Sequence, residues 1–392
     1  VTSKEHNKHT AITRPALGNF GRNEWAILGA PCTVIKLLAD EVIKALTPQY
    51  NCAYADTSHD DDATLLPDRL AHGAFLEYTN QSNYLQLNYK APLTVFKQRE
   101  LFAAADVVFV NGNHQQANAQ VVIIDINKQA SLQKRISQLT QVSLFLLADN
   151  AVGLFDFIKE AIPDWQLIPV LRLSDTAGII SFLKAALQRA KPVLNGLVLA
   201  GGKSTRMGFD KGAVNWYGKE QRYHIADLLK KCCDEVYISC RDKEQQKEID
   251  PQYSSLSDTF TGLGPFGAIL SAFRQQPDRA WLVVACDLPL VNERVIQSLI
   301  DNRNPSSVAT AFKGIDNGFP EPVITIYEPK SYHALLQFLA QGYSCPRKVL
   351  INSDTTLLEA PYAEALTNVN TPEELERIKR VLHQKIAATN AS

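Results

Sequence analysis

The sequence predicts an α/β protein of two domains, each built on a mostly parallel sheet. Three observations carry this. The chain has 392 residues, more than one ordinary core accommodates. Short apolar runs alternate with segments of helical periodicity from about residue 23 to the C-terminal region. Several runs, such as ADVVFV (105–110) and QVVIIDI (120–126), are close to continuously apolar, as strands covered on both faces require.

The N-terminal residues VTSKEHNKHT are polar, lack the apolar core of a signal peptide and predict a disordered tail over about 1–20. Trp25–Leu28 then reads as a strand, Gly29-Ala30-Pro31 as a turn and Val34–Leu46 as a helix. Cys52–Ala55 is a second strand, running into Asp56, His59, Asp60, Asp61 and Asp62. Consecutive aspartates are more often a solvated acidic loop than a metal site, and they are read as such here. Ser143–Leu147 is a further strand, and helices are expected around Leu132–Leu139, Gly153–Ala161 and Thr176–Gln188. The basic, helix-ending step Lys191-Pro192 marks the boundary, giving domains over about 21–190 and 193–385.

The second domain opens on LNGLVLAGGKSTRMGFDKG (194–212). Asn195–Leu199 is a strand, and the loop after it holds Gly201, Gly202 and Gly208 with Lys203, Arg206, Asp210 and Lys211. Paired glycines let backbone N–H groups close on an anion, and two lysines and an arginine beside them suit a triphosphate. A plain βα turn with solvated charges explains a lone Gly-Gly; it explains this density of glycine and cations poorly. The spacing is neither a P-loop nor G-x-G-x-x-G. Further on, Tyr223–Cys232 is helical, with Cys232 and Cys233 as packing residues, Glu235–Ser239 is a strand, and LSDTF (256–260) supplies Asp258. A helix to Phe273 follows Gly262, Gly264, Pro265, Phe266 and Gly267. Trp281–Ala285 is a buried strand ending in Cys286-Asp287-Leu288-Pro289, so Asp287 lies at the carboxyl edge of a parallel sheet, where α/β folds place their sites. Magnesium takes one or two carboxylates with phosphate oxygens and water, which suits Asp287; a helix N-cap would suit it equally. Val308–Ala311 and Pro322–Tyr327 are strands, and Pro372 begins a last helix with Glu373 and Glu374 in its first turn.

The string LAGGKSTRMGFDKG resembles the signature loop of the molybdenum cofactor guanylyltransferases (MobA), whose form is LAGG, a few residues, RMG, one residue, DK. The motif order through the second half is similar too. The resemblance implies a Rossmann-like nucleotidyltransferase domain that uses Mg2+ to transfer GMP from GTP to molybdopterin. It implies a nucleotide site at Leu199, Ala200, Gly201, Gly202, Gly208, Lys211, Ser239, Asp258, Gly264 and Asp287. Lys211, Arg206 and Lys203 would neutralise charge in catalysis, Asp287 would hold the metal, and Asp258 would read the guanine edge. NVNTPEE (368–374) matches the family's closing motif; Thr371-Pro372 is an ordinary helix start, while Asn368 and Asn370 would lie toward the pterin with Arg347 and Lys348. Two departures stand out: Ser239 replaces a common asparagine, and Glu321 stands where His or Gln is usual.

The first half resembles, more weakly, the P-loop GTP-binding partner of that enzyme (MobB). The match rests on WAILGAPCTVIKLLADEVIKAL and ADVVFVNGNH, with Val34-Ile35-Lys36 in place of Gly-Lys-Ser/Thr and Asn111 in place of a carboxylate. It is therefore expected to be a degenerate P-loop NTPase-like α/β domain that has lost nucleotide hydrolysis. The resemblance also implies partners that deliver molybdopterin or chaperone molybdoenzymes. A cytidylyltransferase or sugar-phosphate nucleotidyltransferase would use the same sheet, though Gly201 stands where cytidine-specific relatives have alanine. A silent partner-binding fusion fits poorly with intact Lys211, Asp287 and Asn370.

A net charge of −1 leaves no broad electrostatic footprint for nucleic acid or an anionic membrane. Seven cysteines without C-x-x-C spacing predict reduced thiols and a cytoplasmic protein. The most apolar stretch, Val142–Ile158, is broken by Asp149, Asn150 and Asp156 and is unsuited to a bilayer.

Overall fold

The computed structural model describes residues 18–57, 66–90, 92–200, 211–315, 317–369, 371 and 373–380. The chain divides into two compact units, Val1–Ala190 and Lys191–Ser392.

In the first unit, β1 (Glu24–Leu28) leads through α1 (Cys32–Leu46) to β2 (Cys52–Ala55). The short helix α2 (Asp68–Ala71) precedes an antiparallel hairpin of β3 (Leu76–Asn80) and β4 (Leu85–Tyr89), and α3 (Val95–Leu101) returns the chain to β5 (Val107–Asn111). Next come β6 (Ala119–Ile124), α4 (Gln129–Gln133), β7 (Val142–Leu147), α5 (Asp156–Ala161), β8 (Val170–Arg172) and α6 (Thr176–Arg189). The main sheet has the order β2-β5-β1-β6-β7-β8, and every pairing in it is parallel. Alternate residues of one strand serve opposite faces: Trp25 and Ile27 pack with Ile35, Leu38 and Val42 of α1 and Leu183 of α6, whereas Leu28 packs with Leu132 and Ile158. Burial on both faces is what makes these strands continuously apolar.

Two expected helices differ in extent. The segment 132–139 is not one helix: α4 ends at Gln133 and a 3-10 turn follows over Ile136–Gln138. The Arg135 side chain bonds back to Ser131 Oγ at 2.7 Å and out to the Asn113 carbonyl at 3.0 Å, so the chain is held by tertiary contacts rather than by a continuing helical ladder. The helix expected from Gly153 begins only at Asp156, because Phe155 is extended. The tail over 1–17 and His59, Asp60, Asp61 and Asp62 lie outside the described residues.

The second unit runs β9 (Leu194–Leu199), α7 (Gln221–Lys230), β10 (Val236–Cys240), α8 (Lys243–Lys247), β11 (Ser254–Ser257), α9 (Pro265–Gln275) and β12 (Ala280–Ala285). It continues through α10 (Glu293–Asp301), β13 (Ala309–Lys313), β14 (Pro320–Tyr327), α11 (Lys330–Ala340), α12 (Pro346–Ile351) and β15 (Thr355–Leu358). The sheet order is β11-β10-β9-β12-β14-β13-β15, parallel except for β14, which runs against both neighbours. One face packs Val198, Leu282 and Val284 on Ile225 and Leu229 of α7 and Val295 and Leu299 of α10. The other packs Leu197, Trp281 and Val283 on Phe266, Ile269 and Phe273 of α9 and Leu335 of α11. Arg303 anchors the start of the unit: it pairs with the fully buried Glu328 at 2.6 Å and donates to the Pro192 carbonyl at 2.8 Å. A buried pair of this kind holds register, and its loss leaves an uncompensated charge.

Candidate functional site

Chain connectivity decides where the second unit can bind. From β9 the strands step outward to β10 and β11 on one side, and then the chain crosses to β12 on the other. The order reverses at β9 and β12, so their carboxyl ends flank the topological switch point at which open α/β sheets bind ligands. The glycine-rich segment leaves β9 there. Asp258 follows β11 on one side of β9, and Asp287 follows β12 on the other.

Asp258 is half-buried and faces Ser239, whose hydroxyl donates to Oδ1 at 3.2 Å; its own N–H donates to the Cys240 carbonyl at 2.8 Å. Burial pushes its carboxyl up to about 6, only partly offset by the serine. The loop after it is pinned by Ser271 of α9: Ser271 Oγ accepts from the Thr259 N–H at 2.8 Å and the Phe260 N–H at 3.3 Å and donates to the Gly267 carbonyl at 2.7 Å. Gly267 is required for that approach, since a Cβ there would lie 2.1 Å from the Phe260 carbonyl oxygen. Gly264 caps α9 at φ +57°, with Pro265 in the first turn, and no heavy atom stands within 4 Å of where its Cβ would point. The residue type is thus set by backbone conformation, and the space beside it is open.

Asp287 is partly buried. Its backbone carbonyl accepts from the Val369 N–H at 2.9 Å, and the Cys286 N–H reaches the Leu199 carbonyl at 3.3 Å. These two bonds tie the end of β9, Asp287 and the closing segment together, and the exposed Asn368 is the sequence neighbour of Val369, which makes the bond to Asp287. Val369 is itself buried with Leu290, Leu375 and Ile378, so an apolar peg holds this segment in place. Thr371 and Glu374 form a reciprocal capping pair, at 3.2 Å and 3.1 Å, that starts the last described helix.

Gln245, buried after β10, donates to the Ala200 carbonyl at 3.1 Å and accepts from the Arg241 N–H at 2.8 Å, fixing the chain just before the glycines. Sequence reading passed over Gln245 and Ser271, since neither carries chemistry and each acts through backbone contacts. Arg347 donates to Glu321 at 2.8 Å and to the Pro320 carbonyl at 3.2 Å, so the unusual Glu321 engages the arginine of the expected basic pair. Lys348 lies 5.8 Å from the ring centre of Tyr343. Gly201, Gly202, Lys203, Arg206, Gly208 and Asn370 lie outside the described residues, as does the side chain of Lys211.

Among the described residues no group of three or more His, Cys, Asp or Glu side chains is placed to hold a metal. A carboxylate at the carboxyl edge of the sheet, as Asp287 is, fits a cation that draws its remaining ligands from substrate phosphates and water. No described helix is long and apolar enough to cross a membrane.

Fold and site together define a nucleotidyltransferase-type α/β domain, with two carboxylates at the strand ends on either side of β9 and a glycine-rich sequence following that strand. Residues 196–356 match the MobA-like NTP transferase domain. The chain belongs to this family of transferases, and it is 30% identical over 189 residues to a probable molybdenum cofactor guanylyltransferase of Nostoc, covering 47% of this chain and 90% of that protein. It is 35% identical over 185 residues to a molybdenum cofactor biosynthesis bifunctional protein of Synechocystis, covering 47% of this chain but only 53% of that protein. Against a molybdenum cofactor guanylyltransferase of Pseudomonas putida the figures are 28% over 195 residues, with coverage of 48% and 98%. Among solved structures, a molybdopterin-guanine dinucleotide biosynthesis protein A from Archaeoglobus fulgidus aligns with 48% of this chain and 99% of its own, with a TM-score of 0.42 at 22% identity.

Proposed function

We propose that the second unit transfers GMP from GTP to the terminal phosphate of molybdopterin, releasing pyrophosphate and forming the guanine dinucleotide cofactor. The observation that carries this reading is the pair of carboxylates that follow β11 and β12, on opposite sides of β9: among the described residues Asp258 is held by a hydroxyl and not by a cation, and Asp287 stands where the phosphates would pass. An anionic carboxylate at Asp258 accepts from guanine N1–H and the exocyclic amino group, and adenine, with no N1–H to donate, would leave it unpaired. The relatives' names support guanine and molybdopterin as the substrates.

The nucleophile is a phosphate oxygen, already anionic, so no covalent enzyme intermediate is needed. This chain's work is positioning and charge neutralisation. Glycine N–H groups of the 201–208 segment would cradle the triphosphate, Lys203 and Arg206 would offset its charge, and Lys211 would meet the charge that develops on the departing pyrophosphate. Gln245 and the Cys286 N–H hold Ala200 and Leu199, the residues that precede that segment. Asp287 would hold Mg2+, which when bound supplies charge neutralisation between phosphates. Asn368 and Asn370 would face the pterin; of the basic pair, Lys348 is the better candidate for its phosphate because Arg347 is already paired with Glu321. The cysteine spacing of the sequence, with no C-x-x-C pair, supports a cytoplasmic location.

The raised Asp258 pKa makes a prediction with two readouts. GTP transfer should fall as pH drops through about 6, where the carboxyl takes up a proton, and transfer from ATP should not follow that profile. The sign for stability is opposite to that of most carboxylates: between its ordinary 3.8 and about 6 the folded state binds more protons than the unfolded one, so stability is lost as pH rises through that window. Asp258→Asn should therefore raise Tm near pH 7 and lose that advantage near pH 4. An unchanged Tm difference across that range would show that the burial penalty is absent.

A further inference from the structure

The carboxyl edge of the first unit's sheet brings three residues together from three adjacent strands. Cys32 follows β1, His114 follows β5 and Asp56 follows β2, and these strands are neighbours in the order β2-β5-β1. Cys32 Sγ lies 3.4 Å from His114 Nε2, and His114 Nδ1 lies 3.0 Å from Asp56 Oδ1 and 3.0 Å from the Thr57 carbonyl oxygen. Both neighbours of Nδ1 are acceptors, so Nδ1 carries the proton and Nε2 presents its lone pair to the thiol. Asp56 is only 15% exposed and is tied in place by the Thr57 N–H at 2.7 Å, the Tyr54 hydroxyl at 3.1 Å and Lys36 at 3.4 Å. The reading of this stretch as a solvated acidic loop is therefore wrong for Asp56. Burial alone would raise its carboxyl, but donors from Asn111, Thr57 and Tyr54 and the charge of Lys36 hold it below the ordinary value.

We propose that Cys32, His114 and Asp56 form a nucleophilic triad in the first unit, in which Cys32 exchanges with low-molecular-weight disulfides. The geometry meets the usual requirement of nucleophile, base and orienting group in hydrogen-bond sequence. Cys32 is also the first residue of the 15-residue helix α1, so the helix start fixes where its side chain leaves the backbone. Asn113, anchored on the Ala30 carbonyl at 2.9 Å, points Nδ2 at Sγ from 3.6 Å. This amide donor is aimed at the sulfur itself, which suits thiol–disulfide exchange better than stabilisation of a carbonyl oxyanion.

In the reaction, His114 Nε2 takes the Cys32 proton as Sγ attacks one sulfur of the disulfide. The Sγ–S bond forms, the original S–S bond breaks, and the departing thiolate recovers the proton from His114. Cys32 is oxidised to a mixed disulfide, and half of the incoming disulfide is reduced to a thiol. The other cysteine of the unit, Cys52, begins β2 while Asp56 follows that strand's opposite end, so it is not placed to resolve the product and the mixed disulfide should persist.

The test is to incubate the full chain with oxidised glutathione and follow each cysteine by peptide mass spectrometry. Cys345 is exposed and also precedes a helix, so it is the internal reference for access. Cys32 should react about 100-fold faster than Cys345, the scale of a positioned base, and His114→Ala or His114→Gln should bring it to the Cys345 rate while Cys345 is unchanged. Asp56→Asn should slow Cys32, and Asp56→Glu should restore part of the rate, as expected of a positioning residue. Equal rates at Cys32 and Cys345 in the unaltered protein would overturn the proposal, as would a Cys32 rate indifferent to His114 in both variants.

Discussion

Asp287→Ala should fold and lose at least about 1000-fold in kcat/KM for transfer from GTP, the upper range for removing one electrostatic element of a transition state. The backbone at this point is held independently of the carboxylate, by the Val369 N–H on the Asp287 carbonyl and by the Leu199–Cys286 bond. The strand leading to it is buried along its whole length. Truncating the side chain should therefore leave the edge of the sheet in place and remove only its charge. A binding measurement separates this from misfolding. The unaltered protein should bind GTP more tightly with magnesium than without, and Asp287→Ala should bind GTP equally in both. Full magnesium-dependent activity in a folded Asp287→Ala protein would reject the assignment.

The second large effect divides phosphate chemistry from base reading. Lys211→Ala should slow transfer from every nucleotide by about 100-fold or more, with the GTP preference retained, because an ammonium on the phosphates does not sense the base. Asp258→Asn should do the reverse. An amide oxygen still accepts but lacks the charge that strengthens both donors' bonds, so GTP transfer should fall selectively and the ratio of GTP to ATP should shrink. Ser239 reinforces the contrast, since its hydroxyl is the only side-chain partner seen on Asp258 among the described residues. The measurement is kcat/KM for both nucleotides in both variants. If Lys211→Ala changes base preference, or Asp258→Asn slows GTP and ATP equally, the roles of these two residues are misassigned.

Strands buried on both faces were legible in the sequence because runs like those of β5 and β12 are continuously apolar, rich in β-branched and aromatic residues and too short for a helix. The β3–β4 hairpin was overlooked although Leu76, Tyr78, Leu85, Leu87 and Tyr89 alternate with Glu77, Thr79, Gln86 and Asn88, the pattern of half-exposed strands. Helices α10, α11 and α12 also went unassigned; α10 carries start signals in its Asn292 cap and Glu293, whereas α11 has no side-chain cap and α12 is only six residues long. The nucleotide-site residues could be named because they sit in contiguous motifs at strand ends. What supports them could not: Gln245 reaches the Ala200 carbonyl across 45 positions, and the Arg347–Glu321 pair spans 26. The same holds for Cys32 and His114, 82 positions apart, whose meeting depends on β5 lying between β1 and β2. Strand order is a tertiary property that periodicity does not encode.

The most direct test of the guanylyltransferase reading is to incubate the protein with molybdopterin, magnesium and each of the four ribonucleoside triphosphates in turn, and to identify the dinucleotide formed. The account predicts the guanine dinucleotide and pyrophosphate from GTP, with the other three nucleotides far slower. A cytosine dinucleotide formed from CTP at a comparable or faster rate, or no product from any nucleotide, would contradict it.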